Sequence, residues 1–213
     1  MTSPSQPTAP FTAEARETLA AAGLDVSRVA YARQVHGADV ARATGGFAGT
    51  ADVLVTTERR VPLAIFTADC LAIIAWDADS GALAVAHVGW RGTVKGAQQA
   101  AVRALQELGA VPTRLRVAIA PAIGPCCYEV DEPVIGEFTR RYGVDRLARW
   151  SRPSRPGHVM LDLWTANEDL LTDAGVAGDR IDNPRLCTAC HPELLYSYRK
   201  GNRGRLVTVA ALP

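Results

Sequence analysis

The chain has 213 residues, 48% of them hydrophobic and 21% charged, which is enough to bury a core as one compact domain. Lys and Arg number 23 against 22 Asp and Glu, a formal charge of +1, so no net field draws the chain to nucleic acid or to an anionic membrane surface. No apolar run approaches the roughly 18 residues a membrane span needs, and the five cysteines form an odd count that suits a reducing, cytoplasmic setting better than a disulfide framework.

Residues 1–10 are rich in Pro, Ser and Thr and read as a disordered tail before a single domain at 11–213. The start, Met1 to Pro7, has neither the basic residues nor the apolar stretch of a secretion signal. Phe11 to Ala22, stopped by Gly23, predicts a helix. Val29 to Arg33 predicts a short strand that runs into Gln34-Val35-His36-Gly37, and Ala51 to Thr56 predicts another. Val61 to Phe66 and Leu71 to Trp76 are apolar strands joined by Thr67-Ala68-Asp69-Cys70, and Ala82 to Val88 returns after a turn. Val94, Ala97, Ala101, Leu105 and Leu108 carry helical spacing over Gly92 to Gly109.

Leu115 to Ala120 reads as a strand, Glu132 to Tyr142 as a helix, and Trp150 to His158 as a Pro/Arg-rich loop before a second helix ending at Ala174. Leu195 to Tyr198 and Leu206 to Ala211 read as closing strands. Strands and helices alternate without a strict βαβ repeat, which predicts an α+β sandwich rather than a Rossmann or barrel fold.

Four histidines are few, so their positions carry information. His36 stands before a glycine, and His87 ends a strand before Gly89-Trp90-Arg91-Gly92. Cys70 closes the turn after an apolar strand, where sheets present side chains to a crevice. One thiolate and two imidazoles from separate strand ends make a Cys/His₂ set with a fourth tetrahedral position free, a donor set zinc favours. Asp69 can orient a ligand imidazole or act as a base toward metal-bound water, or can be an ordinary turn acceptor. Arg91 offers a bidentate clamp for an anion, with the backbone amides of Gly89 and Gly92 beside it; the alternative is a plain strand-to-helix turn with Arg91 packed over Trp90. Adjacent Cys126 and Cys127 read as structural thiols on opposite sides of the chain. Cys187-Thr188-Ala189-Cys190-His191 reads as half of a zinc ribbon without its other half.

Five segments occur in order: Gln34-Val35-His36-Gly37-Ala38-Asp39-Val40, Thr67-Ala68-Asp69-Cys70-Leu71, Ala86-His87-Val88-Gly89-Trp90-Arg91-Gly92, Ile123-Gly124-Pro125-Cys126-Cys127-Tyr128-Glu129-Val130, and Cys187-Thr188 with Tyr196-Ser197-Tyr198-Arg199. The set resembles the laccase-domain purine nucleoside phosphorylase family, formerly labelled multicopper polyphenol oxidase. The resemblance implies zinc at His36, Cys70 and His87. It also implies phosphorolysis of adenosine, inosine, guanosine and methylthioadenosine with some adenosine deamination, and an αββα sandwich similar to the cytotoxic necrotising factor type. Purine nucleosides and phosphate would then be the partners of a monomer. Two other chemistries stand beside this one. A copper-dependent, laccase-like oxidase meets the objection that a multicopper site takes on the order of ten histidines. A metal-free cysteine hydrolase would use Cys70 as nucleophile and His87 as its base.

Overall fold

The computed structural model describes residues 11–213, so the expected tail at 1–10 lies outside the described residues. Its framework is a six-stranded mixed sheet whose spatial order is β12 (Ile181–Asp182), β8 (Arg116–Ile119), β6 (Leu71–Asp77), β7 (Ala82–Val88), β4 (Val53–Thr56) and β2 (Val40–Arg42). The β8-β6-β7-β4 run is antiparallel and the two edge pairings are parallel. A four-stranded sheet, in the order β13 (Leu206–Ala210), β5 (Leu63–Thr67), β1 (Ala30–Arg33) and β3 (Gly46–Thr50), lies beside it.

Strand alternation explains how these sheets stack. In β4, Val53 and Val55 point to one core, where they meet Ala97, Ala101 and Leu105 of α3 (Ala97–Glu107) and share a cluster with Leu163 and Leu170 of α6 (Leu163–Asp173). Leu54, together with Ala72, Leu83 and Val85, points the other way, against Ala30, Leu63 and Ile65 of the second sheet. The outer face of that sheet supplies Ala64, Phe66, Val207 and Val209 to a third cluster with Leu19 of α1 (Ala13–Ala21). The layers therefore run helix, sheet, sheet, helix, and strands buried on both faces account for the continuous apolar runs of β5, β6 and β7.

Three sequence expectations change, and one element is added. The helix expected over Gly92 to Gly109 is two helices, α2 (Trp90–Lys95) and α3, because Gly96 takes the left-handed conformation at φ 81° between them. Trp150 to His158 is not all loop: β10 (Ser151–Pro153) and β11 (His158–Leu161) form a hairpin that pairs onward to β9 (Glu129–Asp131). Val144–Arg149 is a further short helix, α5, after α4 (Glu132–Tyr142). Leu195 to Tyr198 is not a strand: the Asn202 side chain accepts from the Ser197 amide at 2.6 Å and donates to the Leu195 carbonyl at 3.1 Å, closing the segment into a loop.

Candidate metal centre and cleft

Sheet register assembles the centre. In the β6-β7 pair, Leu71 faces Val88, so one step further Cys70 comes opposite Gly89. A Cβ on Gly89 would lie 2.7 Å from Cys70 Sγ and 3.3 Å from His36 Cδ2. Only glycine leaves room there for the sulfur and the imidazole. In the β4-β7 pair, Val53 faces Ala86, and one step further Asp52 comes opposite His87, whose amide donates to the Asp52 carbonyl at 2.8 Å.

Asp52 is the residue that sequence reasoning missed. Fully buried, its carboxylate accepts from His87 Nδ1 at 2.7 Å and from the amides of Val35, His36 and Gly37 at 3.0, 3.0 and 2.7 Å. Because a carboxylate can only accept, His87 Nδ1 is the donor of this bond, and the tautomer it selects is the one that presents an Nε2 lone pair to a ligand. The same three amide bonds shape the turn that carries His36 at φ 57°, a positive value uncommon outside glycine. Burial alone would push Asp52 up, but the bonds from His87, Gly37 and Val35 outweigh it and hold the group at about 2.

His36, Cys70 and His87 come together as expected, each offering a donor atom within 4.8 Å of the others. His36 Nε2 and Cys70 Sγ are 3.9 Å apart, and the two imidazoles meet edge to face with centroids 4.7 Å apart. Burial and the neighbouring His87 hold His36 below the usual imidazole value, so it stays neutral. Burial, with Asp69 and Asp52 nearby, pushes the Cys70 thiol up to about 12. Two imidazoles and a thiol gathered around a cradle that one methyl group would fill fit a zinc ion.

Asp69 does not orient an imidazole. It adopts φ 86° and its carboxylate accepts from Thr188 Oγ1 and from the Arg199 amide, both at 2.7 Å, which ties the 188 and 199 loops to the turn before Cys70. The imidazole-orienting carboxylate is Asp52. Gly89 and Gly92 are both buried, and a Cβ on Gly92 would sit 3.4 Å from the His87 carbonyl. Both glycines serve close backbone approach.

Arg91 does line the cleft, and its guanidinium lies 4.2 Å from the Trp90 ring centroid, the packing expected of it at a strand-to-helix turn. The cleft has a volume of about 690 Å³ with His36, Cys70 and His87 along it, Arg91, Arg199 and Arg205 as its cations, and Phe66, Trp90, Tyr128 and Tyr198 as its aromatic rings. Arg199 sits 5.3 Å from the Tyr128 ring centroid and donates to the Glu129 carbonyl at 2.9 Å.

A family model described as "Multi-copper polyphenol oxidoreductase laccase" matches residues 8–213. The chain belongs to this family. A relative named purine nucleoside phosphorylase, from Deinococcus radiodurans, is 40% identical over 204 residues, covering 94% of this chain and 77% of that protein. A relative named adenosine deaminase RL5, from an unknown prokaryotic organism, is 31% identical over 210 residues, covering 92% and 79%. The solved structure of YlmD from Geobacillus stearothermophilus superposes with a TM-score of 0.86 at 32% identity, covering 93% of this chain and 78% of that one. The chain shares with it a mixed α+β architecture.

The four remaining cysteines depart from expectation as well. Cys126 and Cys127 do not point to opposite sides, because the Gly124 carbonyl accepts from the amides of Cys127 and Tyr128 at 3.0 and 3.1 Å and curls the segment into a helical turn. Both thiols reach Cys190, and Cys126, Cys127, Cys187 and Cys190 form the second group of close donors among the described residues.

Proposed function

We propose that the chain is a zinc-dependent purine nucleoside phosphorylase acting on adenosine, inosine, guanosine and methylthioadenosine, with adenosine deamination at the same centre. It would work as a cytoplasmic monomer on small soluble substrates. The observation that carries this reading is the juxtaposition of an open Cys/His₂ donor set with three arginines and four aromatic rings in one cleft. The names of the Deinococcus relative and of RL5 support it, and the helix-sheet-sheet-helix order is consistent with a cytotoxic necrotising factor type of sandwich. Among the described residues no helix is long and apolar enough to cross a membrane.

His36, Cys70 and His87 would hold the zinc ion, which when bound would supply Lewis-acid chemistry. The protein's own groups do the rest. Asp52 fixes the His87 ring through Nδ1, so the ring needs no reorganisation when substrate arrives. Arg91, Arg199 and Arg205 give phosphate a cationic seat, and guanidinium suits its paired oxygens. Tyr128 and Trp90 offer flat surfaces to the purine, which departs with the electron pair of the breaking ribosyl bond, while the arginine charge holds the anionic phosphate whose oxygen forms the new bond to the ribosyl carbon. Asp69 acts as a positioning residue that holds Thr188 and the Arg199 backbone in place.

Multicopper chemistry is disfavoured by the histidine count of four and by position: His158 bonds the Pro156 carbonyl at 3.0 Å and His191 lies 3.5 Å from Glu193, both away from the centre. A metal-free cysteine nucleophile with His87 as its base is disfavoured because the imidazole nitrogen paired with Cys70 Sγ is His36 Nε2, at 3.9 Å, and burial pushes the thiol up. The deciding experiment incubates zinc-loaded protein with inosine or adenosine, with and without phosphate. Free base plus ribose 1-phosphate, formed only with phosphate, is the expected result. No turnover of any purine nucleoside overturns the reading, and alkylation at Cys70 that His87→Ala abolishes, in protein free of stoichiometric zinc, replaces it with the hydrolase.

A further inference from the structure

We propose that Cys126, Cys127, Cys187 and Cys190 bind a second zinc ion, in a closed four-thiolate site that clamps residues 122–128 to residues 187–190.

The sulfur spacing suits a tetrahedral ion. Zinc to sulfur distances of about 2.3 Å place tetrahedral thiolates about 3.8 Å apart. Here Cys126 and Cys127 lie 3.4 and 3.5 Å from Cys190, and all four sulfurs fall within 4.8 Å of one another. None of the five cysteines of the chain is in a disulfide, so the sulfurs are gathered without a covalent bond.

Apolar packing does not explain the cluster. Cys187 is buried, but Cys126 and Cys190 are exposed and Cys127 is half-buried. Free cysteine that behaves as a small hydrophobe is drawn inside, whereas this cluster sits at the surface with its sulfurs turned toward one another. The Gly124 amide donates to Cys187 Sγ at 3.2 Å, a bond that stabilises a thiolate more than a thiol. Two tight turns present the ligands. One is the helical turn at Gly124 to Tyr128, and the other runs from Cys187 to Cys190, with the Cys190 amide donating to the Cys187 carbonyl at 3.2 Å. A parallel bridge between Ala122 and Cys187, and the Thr188 amide bond to the Ala122 carbonyl at 3.1 Å, already hold the two segments side by side.

Four neutral thiols taking up Zn²⁺ lose four protons and give a complex of charge −2, with no oxidant or reductant involved. Soft thiolates in a tetrahedral array select zinc over the harder divalent ions, and a shell filled by four protein ligands leaves no position for substrate. The role is a structural one with a consequence for the cleft. Thr188, inside the clamp, donates to Asp69 next to Cys70, and Tyr128, the residue after Cys127, lines the cleft wall.

The test counts metal in the full chain purified without chelator from zinc-containing medium. The wild type should hold two zinc ions per chain, C126S/C190S one, H36A/H87A one, and the combined variant none. Cobalt loaded into the wild type should show intense four-thiolate charge-transfer bands, which persist in H36A/H87A and disappear in C126S/C190S. The wild-type cobalt spectrum decides even if the double serine variant misfolds. Wild type with one zinc, C126S/C190S with an unchanged zinc count, or a non-reducing mass that shows a disulfide among these cysteines would each overturn the proposal. The two centres are scored separately, since loss at His36 and His87 leaves the four-thiol count untouched.

Discussion

The two donor clusters are built by the same device and differ in what they leave open. At His36, Cys70 and His87, three donors from three segments face a cleft, and the neighbouring groups that hold them, Asp52 and Gly89, are buried behind. At Cys126, Cys127, Cys187 and Cys190, four donors from two turns face one another at the surface. Three protein ligands with one position free is the form of a catalytic zinc site, and four is the form of a structural one. Chemistry is therefore expected at the first and mechanical support at the second.

The sharpest way to break that contrast is to remove a donor from the open set. His87→Ala should abolish zinc binding at the centre and cut phosphorolysis by at least about a thousandfold, since Lewis-acid stabilisation of the transition state is worth several kcal/mol. Metal analysis with a ribose 1-phosphate assay checks it, and activity within tenfold of the wild type would place the chemistry elsewhere. Asp52→Asn should cost less. It keeps the shape but weakens the acceptor that sets the His87 tautomer, and outer-shell changes of this kind lower metal affinity or activity by about 10- to 100-fold.

Asp52→Asn should also alter the acid limb of stability. The folded-state value is depressed from 3.8 to about 2, so the carboxylate contributes fully above its unfolded value and loses its contribution as pH falls through about 2. The shift corresponds to about 2 kcal/mol. Urea midpoints measured between pH 5 and pH 2 should fall less steeply in Asp52→Asn than in the wild type, and parallel curves would deny Asp52 this role. Gly89→Ala is next. Gly89 has φ −85°, which alanine adopts freely, so any loss comes from the new methyl at 2.7 Å from Cys70 Sγ. Overpacking of this kind costs about 1–3 kcal/mol, visible as a lower Tm together with lost zinc.

The contrast also marks what the sequence makes legible. His36, Cys70 and His87 stand out because histidine is scarce and because Cys70 and His87 fall at strand ends while His36 lies in the loop just after β1, a pattern that local reading captures. Asp52 does not, because its importance depends on β4 pairing with β7 so that it meets His87 thirty-five positions later, and register is a property of the assembled sheet. Asp69 was the natural guess, adjacent to Cys70, yet its carboxylate faces Thr188 from the far end of the chain. Adjacent side chains alternate in extended chain, which puts Cys126 and Cys127 on opposite sides; the turn on the Gly124 carbonyl instead brings both to Cys190. The β10-β11 hairpin was hidden for a related reason, since its pairing partner β9 is 20 or more residues away and no local alternation announces it.

The smallest expected effect tests whether the cleft's cations seat phosphate. Arg91 is exposed and stacked on Trp90, so replacing it removes charge without opening the core. A charge-assisted contact of about 1.4 kcal/mol corresponds to a tenfold change. Arg91→Ala should therefore raise the KM for phosphate about tenfold, leave the KM for inosine nearly unchanged, and lower kcat little, because binding made equally in ground and transition states appears in KM. A fall in kcat with an unchanged phosphate KM would instead assign Arg91 to the transition state. An unchanged KM and kcat would leave the phosphate seat to Arg199 and Arg205, the other cations of the lining.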